Sequence, residues 1–285
     1  MSRIEGAPLE AWHEDAIAIA RAAGQILREG YGRPGAIDYK GGIDLVTAYD
    51  RRSEAFLVGE LTRRFPGHAI LGEEGGAAGS AAGGVRGAAG AASPAPPFRW
   101  VLDPLDGTTN FAHNYPFFAV SLALEVDGVR TLGVVYDPLR DECFAARRGH
   151  GATLNGIPIR VTAESRFERA LAATGFAYDV HEKPEETLRF FAPFLSRVQG
   201  IRRDGSAALN LAYLACGRFD LFWEVKLHPW DIAAAVLIVE EAGGRVTDFA
   251  GGPVPWDGFE VAGSNGALHA ELIGILQKIP RLVRT

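Results

Sequence analysis

The chain is poor in cysteine: 285 residues contain only Cys143 and Cys216, which lie far apart and lack metal-type spacing. A disulfide framework and a thiolate zinc site are thereby excluded, and a reducing compartment is expected. Basic residues are not in excess either. With 29 Lys and Arg against 35 Asp and Glu, the formal charge is −6, which argues against a nucleic-acid-binding surface as the main function. It does not hinder binding of an anionic phosphate, because a bound metal can invert the local field. No apolar run approaches membrane-spanning length, and Glu5, Glu10, Glu14 and Asp15 interrupt the stretch where a leader would need one. The expectation is a cytoplasmic protein with neither membrane nor nucleic acid as its partner. There is no internal repeat and no Gly-x-Ser-x-Gly nucleophile motif.

What is present is an ordinary globular composition, 47% hydrophobic and 22% charged, on a chain long enough for one large domain or two intimately packed ones. Leu9 to Arg28 reads as an amphipathic helix with Ile17, Ala20, Ala23, Gly24 and Leu27 on one side. A second helix is expected from near Thr47 to before Pro66, with Phe56, Leu57 and Leu61 inward. Ala69 to Leu71 reads as a short strand leading to Gly72-Glu73-Glu74-Gly75. Residues Ala77 to Pro97 are almost entirely Ala, Gly, Ser and Pro, the composition of a flexible surface loop, either a tolerated insertion or a flap beside a site. Ala119 to Val126, Arg130 to Tyr136 and Glu142 to Ala146 form an antiparallel meander punctuated by Asp127-Gly128 and Asp137-Pro138, and Asn155-Gly156 marks a further tight turn.

Beyond it, strands are expected at Leu171 to Thr174, Phe219 to Glu224, Val246 to Thr247 and Glu260 to Ala262. Helices are expected at Glu185 to Val198, Ala207 to Cys216, Ile232 to Ala242 and Ala267 to Lys278. The fold class is α+β or mixed α/β, in an N-terminal α+β half (1–165) and a C-terminal α/β half (166–285).

The most informative stretch is Trp100-Val-Leu-Asp103-Pro-Leu-Asp106-Gly-Thr108-Thr-Asn110. An apolar strand ends in two carboxylates three residues apart. Pro104 keeps Asp103 extended, so that Asp103 should close the strand. Gly107 admits a turn, and Asp106 and Thr108 suit the start of a short helix. Two hard oxygen ligands beside free N–H groups fit a divalent cation holding a phosphate. Taken alone, the stretch is equally an Asx-turn closing a strand. Asp44, Glu73 and Asp231 also sit where strands end or helices begin. Buried together, such charges would need cations to neutralise them.

Five segments in order decide between these readings: Asp44-Leu-Val-Thr47 with Asp50; Leu71-Gly-Glu73-Glu74; Asp103 to Phe111; Arg202 to Asn210; and Trp230-Asp231 leading to Glu241-Ala-Gly-Gly244. Together they resemble the inositol monophosphatase family of magnesium-dependent, lithium-sensitive phosphomonoesterases, across Lys40 to Gly244. The resemblance implies a layered αβαβα sandwich of the sugar-phosphatase type and two or three Mg²⁺ held by Glu73, Asp103, Asp106, Asp231 and the Leu105 carbonyl. It implies that Glu73, Asp44 and Thr108 act on the attacking water, Thr108 pairing with Asp44. Gly107 and Thr108 amides would hold phosphate oxygens, while Ala207, Glu224 and Asp231 face the alcohol.

His228 lies near the same wall, and Arg202, Arg203 and Asp204 either touch a substrate or form surface or intersubunit ion pairs. The implied partner is a small phosphorylated polyol or sugar, and the implied assembly a homodimer. The Gly-Thr-Thr-Asn-Phe version of the motif points to an inositol monophosphate. Histidinol phosphate, fructose 1,6-bisphosphate and nucleotide or NADP phosphates are alternatives, as is a non-catalytic macromolecular partner built on the same fold. The long Ala/Gly loop, Lys226, Pro229 and Asp204 depart from or vary within the pattern, and none removes a ligand carboxylate.

Overall fold

A computed structural model describes residues 6–33, 37–39, 45–78 and 97–282. Helix α1 (Leu9–Gly30) buries Ala16, Ile19, Ala20, Ala23 and Leu27, so Ile19 rather than the half-buried Ile17 completes its apolar stripe. Gly24 on that face lies under the Tyr136 ring, where an added Cβ would be 2.5 Å from ring carbons. The short pair β1 (Ile37–Tyr39) and β2 (Leu45–Thr47) leads into α2 (Ala48–Arg64). Thr47 caps α2 reciprocally: its hydroxyl accepts from the Tyr49 and Asp50 amides, while its own N–H donates to Asp50 Oδ2 at 2.8 Å.

The first sheet comprises β3 (Ala69–Gly72), β4 (Gly76–Ala78), β5 (Phe98–Asp106), β6 (Ala119–Val126), β7 (Val129–Asp137), β8 (Glu142–Arg147), β9 (Ala152–Leu154) and β10 (Ile157–Ile159). Its order is β10-β9-β8-β7-β6-β5-β3-β4, with β3 and β5 parallel and the other pairs antiparallel. Alternation along β5 sends Trp100 and Leu102 to one face and Val101 to the other. The first face packs on α1 and α2, and the second on a central helical layer.

That layer is α5 (Ala207–Ala215) and α6 (Pro229–Glu241), once α3 (Thr108–Ala112) and α4 (Pro184–Phe191) are numbered in chain order. Every residue of α6 from Ile232 to Val239 is buried, as a helix enclosed by sheets on two sides must be. The second sheet, ordered β12-β11-β13-β15-β14, is built from β11 (Leu171–Thr174), β12 (Gly200–Arg202), β13 (Leu221–Val225), β14 (Arg245–Thr247) and β15 (Glu260–Ser264). Ala173, Phe222 and Val261 point to the central helices, whereas Ala172, Leu221, Trp223 and Ala262 point outward to α4 and α7 (His269–Leu276). Phe194 stacks on Trp223 with centroids 3.9 Å apart, and truncating Trp223 to Ala would cost about 3–5 kcal/mol. Helices, sheet, helices, sheet, helices: the fold is a mixed αβαβα sandwich.

Two local expectations are corrected. Asp103 does not end its strand: β5 runs on to Asp106 through a bulge, three residue steps from Asp103 to Asp106 facing two from Ser121 to Ala119. Pro104 has no N–H to donate to the ladder, and the extra residue absorbs that gap. The helix expected over Glu185 to Val198 stops at Phe191, followed by a 3₁₀ turn at Ala192–Phe194, because Pro193 cannot continue the α-helical hydrogen bonding. Of the Ala/Gly-rich segment, Ala77 and Ala78 belong to β4 and 79–96 lie outside the described residues.

Candidate active site

Three chain segments from the first sheet converge at one end of the sandwich. The turn after β3 carries Glu73, half-buried. The bulge of β5 carries Asp103 (2% exposed) and Asp106, and α3 opens at Gly107, which is left-handed (φ 100°). That φ suits glycine, and a Cβ there would also meet the Phe117 carbonyl at 3.0 Å. From the central helices and the second sheet come the N-terminus of α5, the end of β13 with Glu224, and the first turn of α6 with Asp231. Glu73, Asp103, Leu105, Asp106, Gly107, Thr108, Ala207, Glu224 and Asp231 all line one cleft, together with Gly175, Phe176, Arg203, Lys226 and His228. Arg202 and Asp204 do not line it.

The three aspartates are each held by hydrogen bonds. Asp103 Oδ1 accepts from the Leu105 amide at 2.9 Å, so the Asx-turn is real and coexists with the cleft. Asp106 Oδ2 accepts from the Ser206 hydroxyl (2.6 Å) and the Ala208 amide (2.7 Å) at the start of α5. Asp231, in the first turn of α6, accepts the His228 amide at 2.7 Å. Among the described residues no three His, Cys, Asp or Glu side chains are gathered in metal-ligating geometry; each of these carboxylates has one oxygen engaged by a protein donor.

Around the three aspartates the electrostatics lack an offsetting positive charge. Burial pushes Asp103 well above the usual carboxylate range, and the charges of Glu73, Asp106 and Asp231 push the same way. Asp231 is raised by burial, then by Asp106 and Glu73. Burial lifts Asp106 to about 6 against the pull of Ser206 and the α5 amides. No Lys or Arg offsets these three. Hard oxygen donors that disfavour one another's ionisation fit a divalent cation and not a soft metal.

Thr108 is the pivot of the polar network. Its hydroxyl lies 2.9 Å from Asp50 Oδ1 and 3.0 Å from the Leu105 carbonyl, two acceptors for one proton. Among the described residues the partner of the Thr108 hydroxyl is Asp50; Asp44, the partner expected from the resemblance, lies outside the described residues. Asp50 is fully buried because it also closes the α2 capping box. The Thr47-x-x-Asp50 spacing is the signal that points to it.

Ser206 and Asn110 are further residues that motif reading leaves without a role. Asn110 Nδ2 is 2.7 Å from both the Phe117 and Asp204 carbonyls, tying α3 to the segment before α5.

On the opposite wall, Glu224 is 9% exposed, and its Oε2 has no hydrogen-bond partner among the described residues. Burial raises its carboxyl to about 8, with Asp106 adding to the shift and Arg203 opposing it. A Cβ on Gly175 would lie 1.8 Å from Glu224 Oε1, so only glycine fits beside this carboxylate. The Arg203 guanidinium stands over the Phe176 ring at 5.2 Å. Lys226, at a left-handed φ of 60°, ion-pairs with Asp179 and Glu186. His228 stacks on Trp230.

A mixed αβαβα sandwich with an acidic cleft lined by buried carboxylates fits a hydrolase of phosphoric monoesters. The chain belongs to the inositol monophosphatase family, whose sequence profile matches residues 9–281 and whose general activity is Mg²⁺-dependent phosphomonoester hydrolysis. It is 40% identical over 274 residues to an inositol-1-monophosphatase of Synechocystis sp., covering 96% of this chain and 91% of that one. It is 41% identical over 270 residues to the Nus factor SuhB of Pseudomonas aeruginosa, covering 93% and 96%. The solved inositol monophosphatase of Anabaena (Nostoc) sp. superposes with a TM-score of 0.83 at 39% identity, covering 97% of this chain and 99% of that one.

Proposed function

We propose that the cleft hydrolyses an inositol monophosphate to inositol and phosphate, with Glu73, Asp103, Asp106, Asp231 and the Leu105 carbonyl holding two or three Mg²⁺. The observation that carries this is the meeting of mutually repelling buried carboxylates with the Thr108–Asp50 pair in one cleft. Bound there, the cations would supply Lewis acidity that makes water a nucleophile at neutral pH and offsets charge on the phosphate. The chain's own groups do the rest. With its proton directed to Asp50, the Thr108 hydroxyl turns a lone pair toward the cleft, where it accepts a hydrogen bond from water and orients it. Glu73 faces the same water. The amides of Gly107 and Thr108, in a helical first turn with no intrahelical acceptor, donate to phosphate oxygens as charge builds in the transition state. Glu224 and the wall at Ala207 contact the alcohol hydroxyls.

The Mg²⁺ identity and a homodimeric assembly rest on the family. A reducing cytoplasmic setting rests on two free cysteines, one of them buried. No helix among the described residues is long and apolar enough to cross a membrane. We take 1–165 and 166–285 as two halves sharing the cleft, the first supplying the metal-facing wall.

A substrate panel tests the reading. Inositol 1-phosphate should show the highest kcat/KM among inositol phosphate, histidinol phosphate, fructose 1,6-bisphosphate and NADP; a higher value for any other compound reassigns the substrate within the class. The 41% identity to a protein named Nus factor SuhB favours a second reading, a macromolecular partner role on the same fold. No phosphate release from any phosphomonoester, together with capture of a transcription component by the purified chain, would favour it.

A further inference from the structure

Helix α2 carries Asp50, Ser53 and Glu54 at the i, i+3, i+4 spacing of one helix face. All three are buried, at 0%, 0% and 6% exposure, on the face that continues with the core residues Leu57 and Leu61. Each reaches a different part of the cleft. Asp50 holds Thr108 (2.9 Å). Ser53 Oγ donates to the Pro104 carbonyl at 3.0 Å, inside the bulge between Asp103 and Asp106. Glu54 spans the turn beside Glu73: its Oε2 accepts the Glu74 amide at 2.7 Å and its Oε1 the Gly75 amide at 2.6 Å.

The turn is shaped around that carboxylate. A Cβ on Gly72 would lie 2.5 Å from Glu54 Oε1, and one on Gly75 2.8 Å from the same atom. The two glycines of Gly72-Glu73-Glu74-Gly75 therefore leave the space that Glu54 fills. A buried carboxylate is tolerated when backbone N–H groups satisfy it, and such charge-assisted bonds are the strong ones. Helix and turn consequently fix each other, and the two clamped amides follow Glu73 directly in the chain.

We infer that Glu54 is a positioning residue, which acts through the Gly72–Gly75 turn to set where the Glu73 carboxylate stands and thereby the affinity of the cleft for divalent cations. The inference rests on the proposed role of Glu73 as a ligand. It differs from a simple helix brace, which would change stability but leave the folded protein's cation affinity alone.

The test uses the full chain and Mn²⁺ as probe, with free Mn²⁺ read by electron paramagnetic resonance. Glu54→Gln turns one acceptor into a donor facing an N–H. It should raise the Mn²⁺ Kd about tenfold or more, the usual range for losing a group that orients a ligand. The Mg²⁺ concentration for half-maximal phosphate release should rise in parallel, with substrate KM at saturating metal nearly unchanged. Glu54→Asp, which can keep one amide bond, should fall in between. Gly75→Ala displaces the carboxylate without removing it and should shift the Kd in the same direction, giving a reading even where Glu54→Gln folds poorly. Leu57→Ala, on the same helix face, should lower the melting temperature while leaving the Mn²⁺ Kd as in the wild type. Wild-type Kd in both Glu54→Gln and Gly75→Ala, or an equal Kd shift in Leu57→Ala, would overturn the inference. Failure of the wild type itself to bind Mn²⁺ and release phosphate would overturn the reading of the cleft, and this inference with it.

Discussion

The two walls of the cleft are built differently. On the proposed phosphate side, Asp50, Ser53, Glu54, Asp106 and Ser206 are buried and hydrogen-bonded across distant parts of the chain, and buried Asp103 is closed locally by the Leu105 amide. On the alcohol side, Glu224 has an oxygen without a partner, Lys226 sits at a left-handed φ, and the exposed Arg203 rests on an aromatic ring. A densely hydrogen-bonded network holds one geometry, whereas a wall with an unpartnered carboxylate oxygen and an exposed guanidinium leaves polar capacity for whatever binds there. On the proposed function, the difference teaches that this chain separates the chemistry, which needs rigid placement, from recognition of the leaving group, which is left open.

Substitutions on the two walls should therefore fail in different ways. The largest effect belongs to Asp103→Asn, which keeps shape but removes a charge from the centre of the acidic set. We expect kcat for inositol phosphate to fall by about a thousandfold or more, the loss of ~4 kcal/mol of transition-state stabilisation, with circular dichroism unchanged. Near-wild-type turnover would mean that the rigid wall is not the catalytic one. Next comes Thr108→Ala, expected to lower kcat about a hundredfold with little change in KM, because the hydroxyl acts on water and not on the substrate. An effect on KM alone would move Thr108 to the recognition side.

Gly175→Ala probes the other wall. The new methyl displaces Glu224, and kcat/KM for a polyol phosphate should drop about tenfold, mostly through KM. A comparable loss with p-nitrophenyl phosphate, which has no hydroxyls to recognise, would erase the distinction between the walls.

The smallest effect is on stability. Glu224 has a carboxyl raised from 4.5 to about 8 in the folded protein, so folding favours its protonated form. That contribution is full below about pH 4.5 and is lost as pH rises through about 8. Asp106, raised from 3.8 to about 6, adds a loss in the same direction over the lower part of that range. Without divalent cations, the melting temperature should thus fall between pH 5 and pH 8 through these groups. Glu224→Gln should raise it at pH 8 by about 3 °C, the order of shift that ~1 kcal/mol makes in a chain of this size, and leave it nearly unchanged at pH 5. A larger gain at pH 5 than at pH 8 would contradict the burial argument.

Much of this was legible from local chemistry. Periodicity locates α1, α2, the β6-β7-β8 meander and α6, and the resemblance to the inositol monophosphatase family names Glu73, Asp103, Leu105, Asp106, Gly107, Thr108, Ala207, Glu224 and Asp231, which the structure brings to one cleft. What stayed hidden depends on contacts remote in sequence. Ser206 reaches Asp106 across 100 positions, and Glu54 reaches the Glu73 turn across about 20. No pattern within a window can show either bond. The bond from Asp50 to Thr108 is different in kind, because the Thr47-x-x-Asp50 capping spacing is a local signal that places Asp50 beside Thr47. The bulge at Pro104 and the helix stop at Pro193 follow from the missing proline N–H, a signal present in the sequence that reads at Pro104 as a strand end and at Pro193 is masked by the apolar pattern.

The central claim is that the acidic wall works only with a divalent cation. Its most direct test is phosphate release from inositol 1-phosphate by the chelator-treated wild-type chain, measured as Mg²⁺ is added back. The account predicts no measurable turnover without the cation and saturable restoration with it. Full turnover in chelator, at a rate indifferent to added Mg²⁺, would contradict it.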